Sequence, residues 1–154
     1  GVYKLAAIAD DQGGFIPKIK LSENTEKVTN PGNKAFFRIY DKESGKIKAD
    51  LICLHDETFD TDQDMKLFDP NEPWKKTTLP GGSYTMKEML VPVICQGKRV
   101  YDTPPVMEIQ KICNQEKETL WEENKRFTNP SKIHVDLSQK LYDMKQSLLS
   151  EMSR

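Results

Sequence analysis

A chain of 154 residues has room for one ordinary domain, or for two small lobes around a shared core. Its residues are 36% hydrophobic and 31% charged, a globular mixture that leans polar. Lys and Arg number 23 against 24 Asp and Glu, a net charge of −1, which gives no general attraction to nucleic acid or to an acidic membrane.

Val2–Ile8 and Phe15–Leu21 flank Asp10-Asp11-Gln12-Gly13-Gly14, a stretch rich in turn formers, and together they predict a β-hairpin. Asn30-Pro31-Gly32 has the residues of a type II turn, in which Gly takes the positive φ. Lys34–Tyr40 is aromatic and β-branched enough for a strand. After a turn over Asp41–Lys46, the residues Ile47, Ala49, Leu51 and Cys53 alternate with Lys48, Asp50, Ile52 and Leu54. That strand begins amphipathic and ends buried on both faces. Asp56–Asp64 is an acidic connection, and Met65–Ser83, interrupted by Pro70, Pro73, Pro80, Gly81 and Gly82, has room only for short strands such as Trp74–Leu79.

Glu88–Cys95 and Arg99–Tyr101 suggest another hairpin around Gln96-Gly97-Lys98. Beyond Thr103-Pro104-Pro105 the period changes to a helical one, with Val106, Ile109, Cys113, Leu120 and Phe127 near one stripe. Thr103 as N-cap and Pro104 as the first helical residue would start this helix, and Asn129-Pro130 would end it. Lys132–Val135 is expected to be extended. A second helix follows, with Asp136 and Gln139 at capping-box spacing and Leu137, Leu141, Met144, Leu148 and Met152 as its apolar stripe. The fold class is therefore α+β: antiparallel hairpins followed by two amphipathic helices. We divide the single unit into a hairpin-rich lobe over residues 1–55, a connection over 56–64, and short strands then helices over 65–154.

Complete chemistry is hard to assemble from these pieces. Asp60, Asp62 and Asp64 have calcium-loop spacing, but Met65 stands where the loop needs Gly and Asn71 where it needs Glu. His55 and His134 lack companion ligands at zinc spacing. Cys53, Cys95 and Cys113 lie in apolar stripes and read as reduced core thiols of a cytosolic protein. Gly13-Gly14 and Gly81-Gly82 could expose N–H groups to phosphate, with Lys4, Lys18, Lys20 and Lys27 supplying charge, yet neither pair opens a helix after a buried strand. Phe36 and Phe37 point to opposite faces of a strand and cannot form one stacking platform for nucleic acid. Met89–Cys95, broken by Pro92, is far too short to span a bilayer, and Val2–Ile8 lacks the basic region of a signal peptide. No catalytic or metal residue is assigned, and no cofactor is expected on this chain.

The order of several strings goes further. "GVYKLAAI", "PKIKLSENTEKVTNPGNKAFFRIYDKESGKIKADLICLHDE", "WKK", "MLVPVICQGK" and "LWEENKRFTNPSKIHVDLSQKLYDMKQSLL" together resemble the C-terminal third of bacterial nicotinate phosphoribosyltransferases. The resemblance implies an enzyme that joins nicotinate to phosphoribosyl pyrophosphate. It couples the reaction to ATP hydrolysis through a phosphohistidine, uses Mg²⁺ and works as a dimer in NAD synthesis. Its fold would be an α/β barrel packed with a mixed sandwich domain. The family's phosphohistidine, substrate arginine and Gly-Thr phosphate turn all precede the "GVYKL" string, so none maps onto a residue here.

The chain, which opens at Gly1 without a methionine, thus reads as a fragment that buttresses N-terminal and barrel domains and is inactive alone in the cytoplasm. Lys4, Lys20 and Ser22 are the candidates to border the parent active site. The competing reading is a free-standing interaction module. A third is a small phosphate-binding domain built on Lys4 and Lys20.

Overall fold

The structure is a computed structural model that describes residues 3–24 and 27–152. Its centre is a four-stranded sheet in the order β10-β4-β3-β7. The strands β3 (Lys34–Asp41) and β4 (Ile47–Leu54) are its antiparallel spine, β7 (Tyr84–Glu88) joins β3 antiparallel, and β10 (Val135–Leu137) joins β4 in parallel. In β4 Ile47, Ala49, Leu51 and Cys53 are buried as expected, but Asp50 on the opposite face is buried too. Between β3 and β4 the chain reverses at Gly45, which has φ +67°.

Because directly opposed residues share a face, the register sorts the sheet into two sides. On one side Ile39, Ala49, Leu51 and Tyr84 pack with Met65, Leu67 and Leu79. The last three come from the hairpin β5 (Met65–Asp69) and β6 (Glu72–Leu79), which forms the layer over this face. On the other side Leu54 and Leu137 pack with Leu141 of α2 (Gln139–Met152). The α+β class is as expected. The segment around Trp74 carries a full hairpin with an eight-residue strand, more than its prolines suggested. Pro73 is its second residue, at a strand start where the missing N–H is tolerated.

Several boundaries differ from the sequence reading, each for a local reason. In the first hairpin β1 (Ala7–Ala9) and β2 (Phe15–Pro17) pair over three residues each, and Val2 of the expected arm lies outside the described residues. The hairpin expected over Glu88–Tyr101 shrinks to β8 (Ile94–Cys95) and β9 (Lys98–Arg99), with Glu88 belonging to β7. Its turn residues Gln96 and Gly97 both have positive φ, 48° and 75°, the pairing a two-residue hairpin turn requires.

The helix α1 runs over Val106–Glu118, with Pro105 rather than Thr103 as N-cap. Pro105 forces the preceding Pro104 out of helical geometry, which delays the start. Helix α1 also stops well short of Asn129-Pro130. Thr119 Oγ1 donates to the Glu116 carbonyl at 2.7 Å, and the Thr119 carbonyl accepts from the Ile47 N–H of β4 at 2.9 Å.

Asp136 and Leu137 are strand residues, not the start of a helix. Ser138 caps α2 instead: its Oγ accepts from the Leu141 N–H at 3.2 Å and donates to Glu57 Oε1 at 2.6 Å.

The thiols also divide. Cys53 is buried, and burial first, then the nearby Glu57 charge, pushes its pKa up to about 12, whereas Cys95 and Cys113 are exposed rather than core residues. Both sit on elements whose apolar side chains are uncovered within this chain. A thiol-reactive reagent at neutral pH is expected to modify Cys95 and Cys113 promptly and Cys53 only after denaturation. Mass spectrometry of the labelled peptides checks this; early labelling of Cys53 would contradict its burial.

Candidate functional site

Both glycine pairs turn out to be occupied. Asp10 Oδ1 accepts the N–H groups of Gln12 and Gly14 at 2.9 and 2.6 Å. Gly81 donates its N–H to Asp64 Oδ1 at 2.8 Å, and Gly82 donates to the Thr61 carbonyl at 2.7 Å. Donors already facing carboxylate or carbonyl oxygens are poorly placed to cradle a phosphate. Gly81 is there for space: a Cβ would fall 2.1 Å from the Asp62 carbonyl oxygen. Asp60 and Asp64 thus serve the loop, Asp60 Oδ1 accepting the Asp62 N–H at 3.0 Å.

Asn30-Pro31-Gly32 carries the expected positive φ at Gly32, +86°. Lys34 Nζ donates to the Gly32 carbonyl at 2.6 Å, and Lys145 of α2 donates to Asn30 Oδ1 at 2.8 Å. Burial holds both ammonium groups below the usual lysine range. These two lysines, absent from the sequence candidates, tie the turn to β3 and α2. Lys4, Lys20 and Ser22 are exposed and lie outside the assigned strands; the backbone N–H of Lys20 donates to Thr29 Oγ1 at 2.9 Å.

A charged cluster fixes the end of α1 to the sheet. Arg38 grips Asp50 with two parallel bonds, Nε to Oδ1 at 2.8 Å and Nη2 to Oδ2 at 3.0 Å. Glu116 of α1 meets Lys87 at 3.0 Å, accepts from Tyr40 Oη at 3.4 Å and lies 4.0 Å from Arg38 Nη1. The hydrogen bond that Arg38 donates to Asp50 is the largest influence raising the Arg38 pKa. Lys46 Nζ then donates to the carbonyls of Glu118 and Leu120, at 2.7 and 3.2 Å, as a cation at a helix C-terminus should. By contrast α1 buries no residue, and Val106 and Met107 are 78% and 74% exposed.

Two of the clefts among the described residues border the sheet. One of about 420 Å³ lies between the Gly13-Gly14 turn, Gly32 and α2, and His55 lines it. The other, about 460 Å³, lies where β4, β5 and β6 meet the segment 121–136. Trp121 forms part of its wall, held by an Nε1–H bond to the Ile47 carbonyl at 2.7 Å. His134 and Asp136 also line it, and Asp136 is only 4% exposed. Neither cleft includes Lys4, Lys20 or Ser22. Among the described residues, no group of three or more His, Cys, Asp and Glu is arranged to hold a metal ion, and no helix is long and apolar enough to cross a membrane.

The fold and these contacts define an α+β module in which ionisable groups mostly hold elements together. Comparison with known proteins places it. The family model described as the nicotinate phosphoribosyltransferase C-terminal domain matches residues 33–145. Nicotinate phosphoribosyltransferase of Bacillus subtilis (strain 168) is 31% identical over 98% of this chain, which spans 30% of that protein. The Homo sapiens enzyme is 27% identical over 99% of this chain, which spans 27% of it. A crystal structure of human nicotinic acid phosphoribosyltransferase superposes with a TM-score of 0.69 at 23% identity, over 79% of this chain and 24% of that one, and so shares the fold. The chain belongs to the nicotinate phosphoribosyltransferase C-terminal domain family. It spans less than a third of the length of these relatives.

Proposed function

We propose that this chain is the C-terminal portion of an enzyme that joins nicotinate to phosphoribosyl pyrophosphate in an ATP-coupled reaction of NAD synthesis, and that it serves there as scaffold. The observation that carries the scaffold role is the unburied apolar surface. Val106, Met107, Ile109 and Ile112 of α1 are exposed, as are Leu90, Val91 and Ile94 in the stretch preceding it. Patches of this kind mark contact surfaces, and a domain that spans less than a third of its relatives has the rest of an enzyme to meet. We assign that surface to the N-terminal and barrel portions of the same polypeptide, within a cytoplasmic homodimer. Mg²⁺ and ATP belong to those portions.

The isolated chain is expected to form no nicotinate mononucleotide from nicotinate, phosphoribosyl pyrophosphate and ATP, while the full-length protein does. Product from the isolated chain overturns the scaffold reading. Within the full-length protein, Val106→Lys with Met107→Glu should lower both melting temperature and activity. In the isolated chain, the same exposed pair should shift stability by less than about 0.5 kcal/mol.

A further inference from the structure

We propose that the cleft between β4, β5, β6 and the segment 121–136 is a binding site for an organic ammonium carried on an aromatic or branched apolar body, with Asp136 as its counter-ion. The first support is the position of that carboxylate. Asp136 stands opposite Leu51 in the parallel pairing of β10 with β4, which puts it on the apolar side of the sheet with Ala49 and Leu51. It is 4% exposed and lines the cleft. Among the described residues, no hydrogen bond reaches its carboxyl group, although the nearby Ser138 hydroxyl is fully engaged with Glu57 and the α2 cap. No described side-chain N or O is both fully buried and unpartnered, so the Asp136 carboxyl oxygens keep contact with the cleft, a space large enough for a small molecule.

The walls choose the ligand. Ile47, Leu67, Phe68, Leu79 and Trp121 supply apolar surface, and the Trp121 ring is fixed by its bond to Ile47. Of the three bordering lysines, Lys48 is committed to Asp41 at 2.9 Å and Lys75 to Glu72, while Lys132 is exposed on the rim. Asp69 spends one oxygen on the Asn71 N–H at 2.8 Å and adds negative charge at the same end. An anion would face both carboxylates, whereas an ammonium gives Asp136 the partner it lacks and lays its carbon body against the apolar walls.

The ionisable groups around Asp136 are His134 on its own segment, Asp69 on β5, Lys75 on β6, Lys48 on β4, and Glu123 and Lys132 on the facing loop. Burial holds the Asp136 carboxyl above the usual carboxylate range; His134 pulls it down and Asp69 pushes it up. A bound cation favours the ionised form, so affinity should rise with pH as Asp136 loses its proton. The folded state holds this proton more tightly than the unfolded chain. The group therefore adds stability at pH below its unfolded value, and that contribution is lost as pH rises through the folded one.

Calorimetric titration of the full-length protein with phenethylammonium chloride tests the proposal, with 2-phenylethanol as the uncharged control. Saturable binding at millimolar concentration is expected, weakened roughly tenfold or more by Asp136→Asn, with none for the alcohol. Asp136→Leu should abolish binding while keeping or raising the melting temperature, an outcome a merely structural residue would not give. Equal binding by Asp136→Asn, or no saturable heat with the unsubstituted protein, overturns it. The second result includes the case in which another part of the polypeptide fills the cleft.

Discussion

Arg38→Ala should destabilise the chain by about 3–5 kcal/mol, the range for removing one partner of a buried ion pair. The Asp50 side chain is 8% exposed and that of Arg38 22%, so the pair is shielded from water far more than an ordinary surface bridge. Its guanidinium donates to both carboxylate oxygens from the position directly across the sheet. Removing it strands a negative charge between β3 and β4 and loosens the approach of Glu116, hence of α1. Denaturant unfolding of Arg38→Ala, Asp50→Leu and the double variant Arg38→Met/Asp50→Leu separates the effects. Arg38→Ala should be the worst, and the double variant much milder because it leaves no unpaired charge. A loss under about 1 kcal/mol for Arg38→Ala would place the pair among solvent-screened bridges.

Leu141→Ala should cost about 3 kcal/mol, within the span measured for buried leucines. Leu141 is 0% exposed and belongs to a small cluster with Leu54 and Leu137, flanked by Ile52, Tyr142 and Met144. With so few neighbours, the cavity cannot be filled by sliding other side chains into it. The effect should be local first, because this cluster is what holds α2 to the sheet. Amides of α2 should then exchange with deuterium faster than those of β3 and β4. Uniform acceleration through both would mean that α2 and the sheet open as one unit.

The spine of the sheet was legible because β3 and β4 obey period two and their turns carry glycine where φ must be positive. Strand β10 was not. It pairs over three residues with a strand more than eighty positions earlier, and such a contact leaves no local signature. Asp136 and Gln139 imitated a capping box, while the true cap, Ser138, was hidden by its position between strand and helix.

The long apolar stripe over Val106–Phe127 misled for a different reason. Periodicity reports which residues could be buried, not whether the covering surface belongs to the same chain, and Phe127 is fully exposed. The site followed the same logic. Lys4, Lys20 and Ser22 are readable from the local hairpin pattern, whereas Asp136 and Trp121 are brought to one cleft only when β10 and β4 pair.

That pairing also sets an order of events during synthesis. Strand β4 waits with an open edge, its amides and carbonyls able to bond a neighbouring molecule, until residues 135–137 have been made. A premature stop before Val135 would therefore remove more than a tail. It would leave a nascent sheet with a sticky margin, prone to pair with its siblings and to be cleared by the cell's proteases.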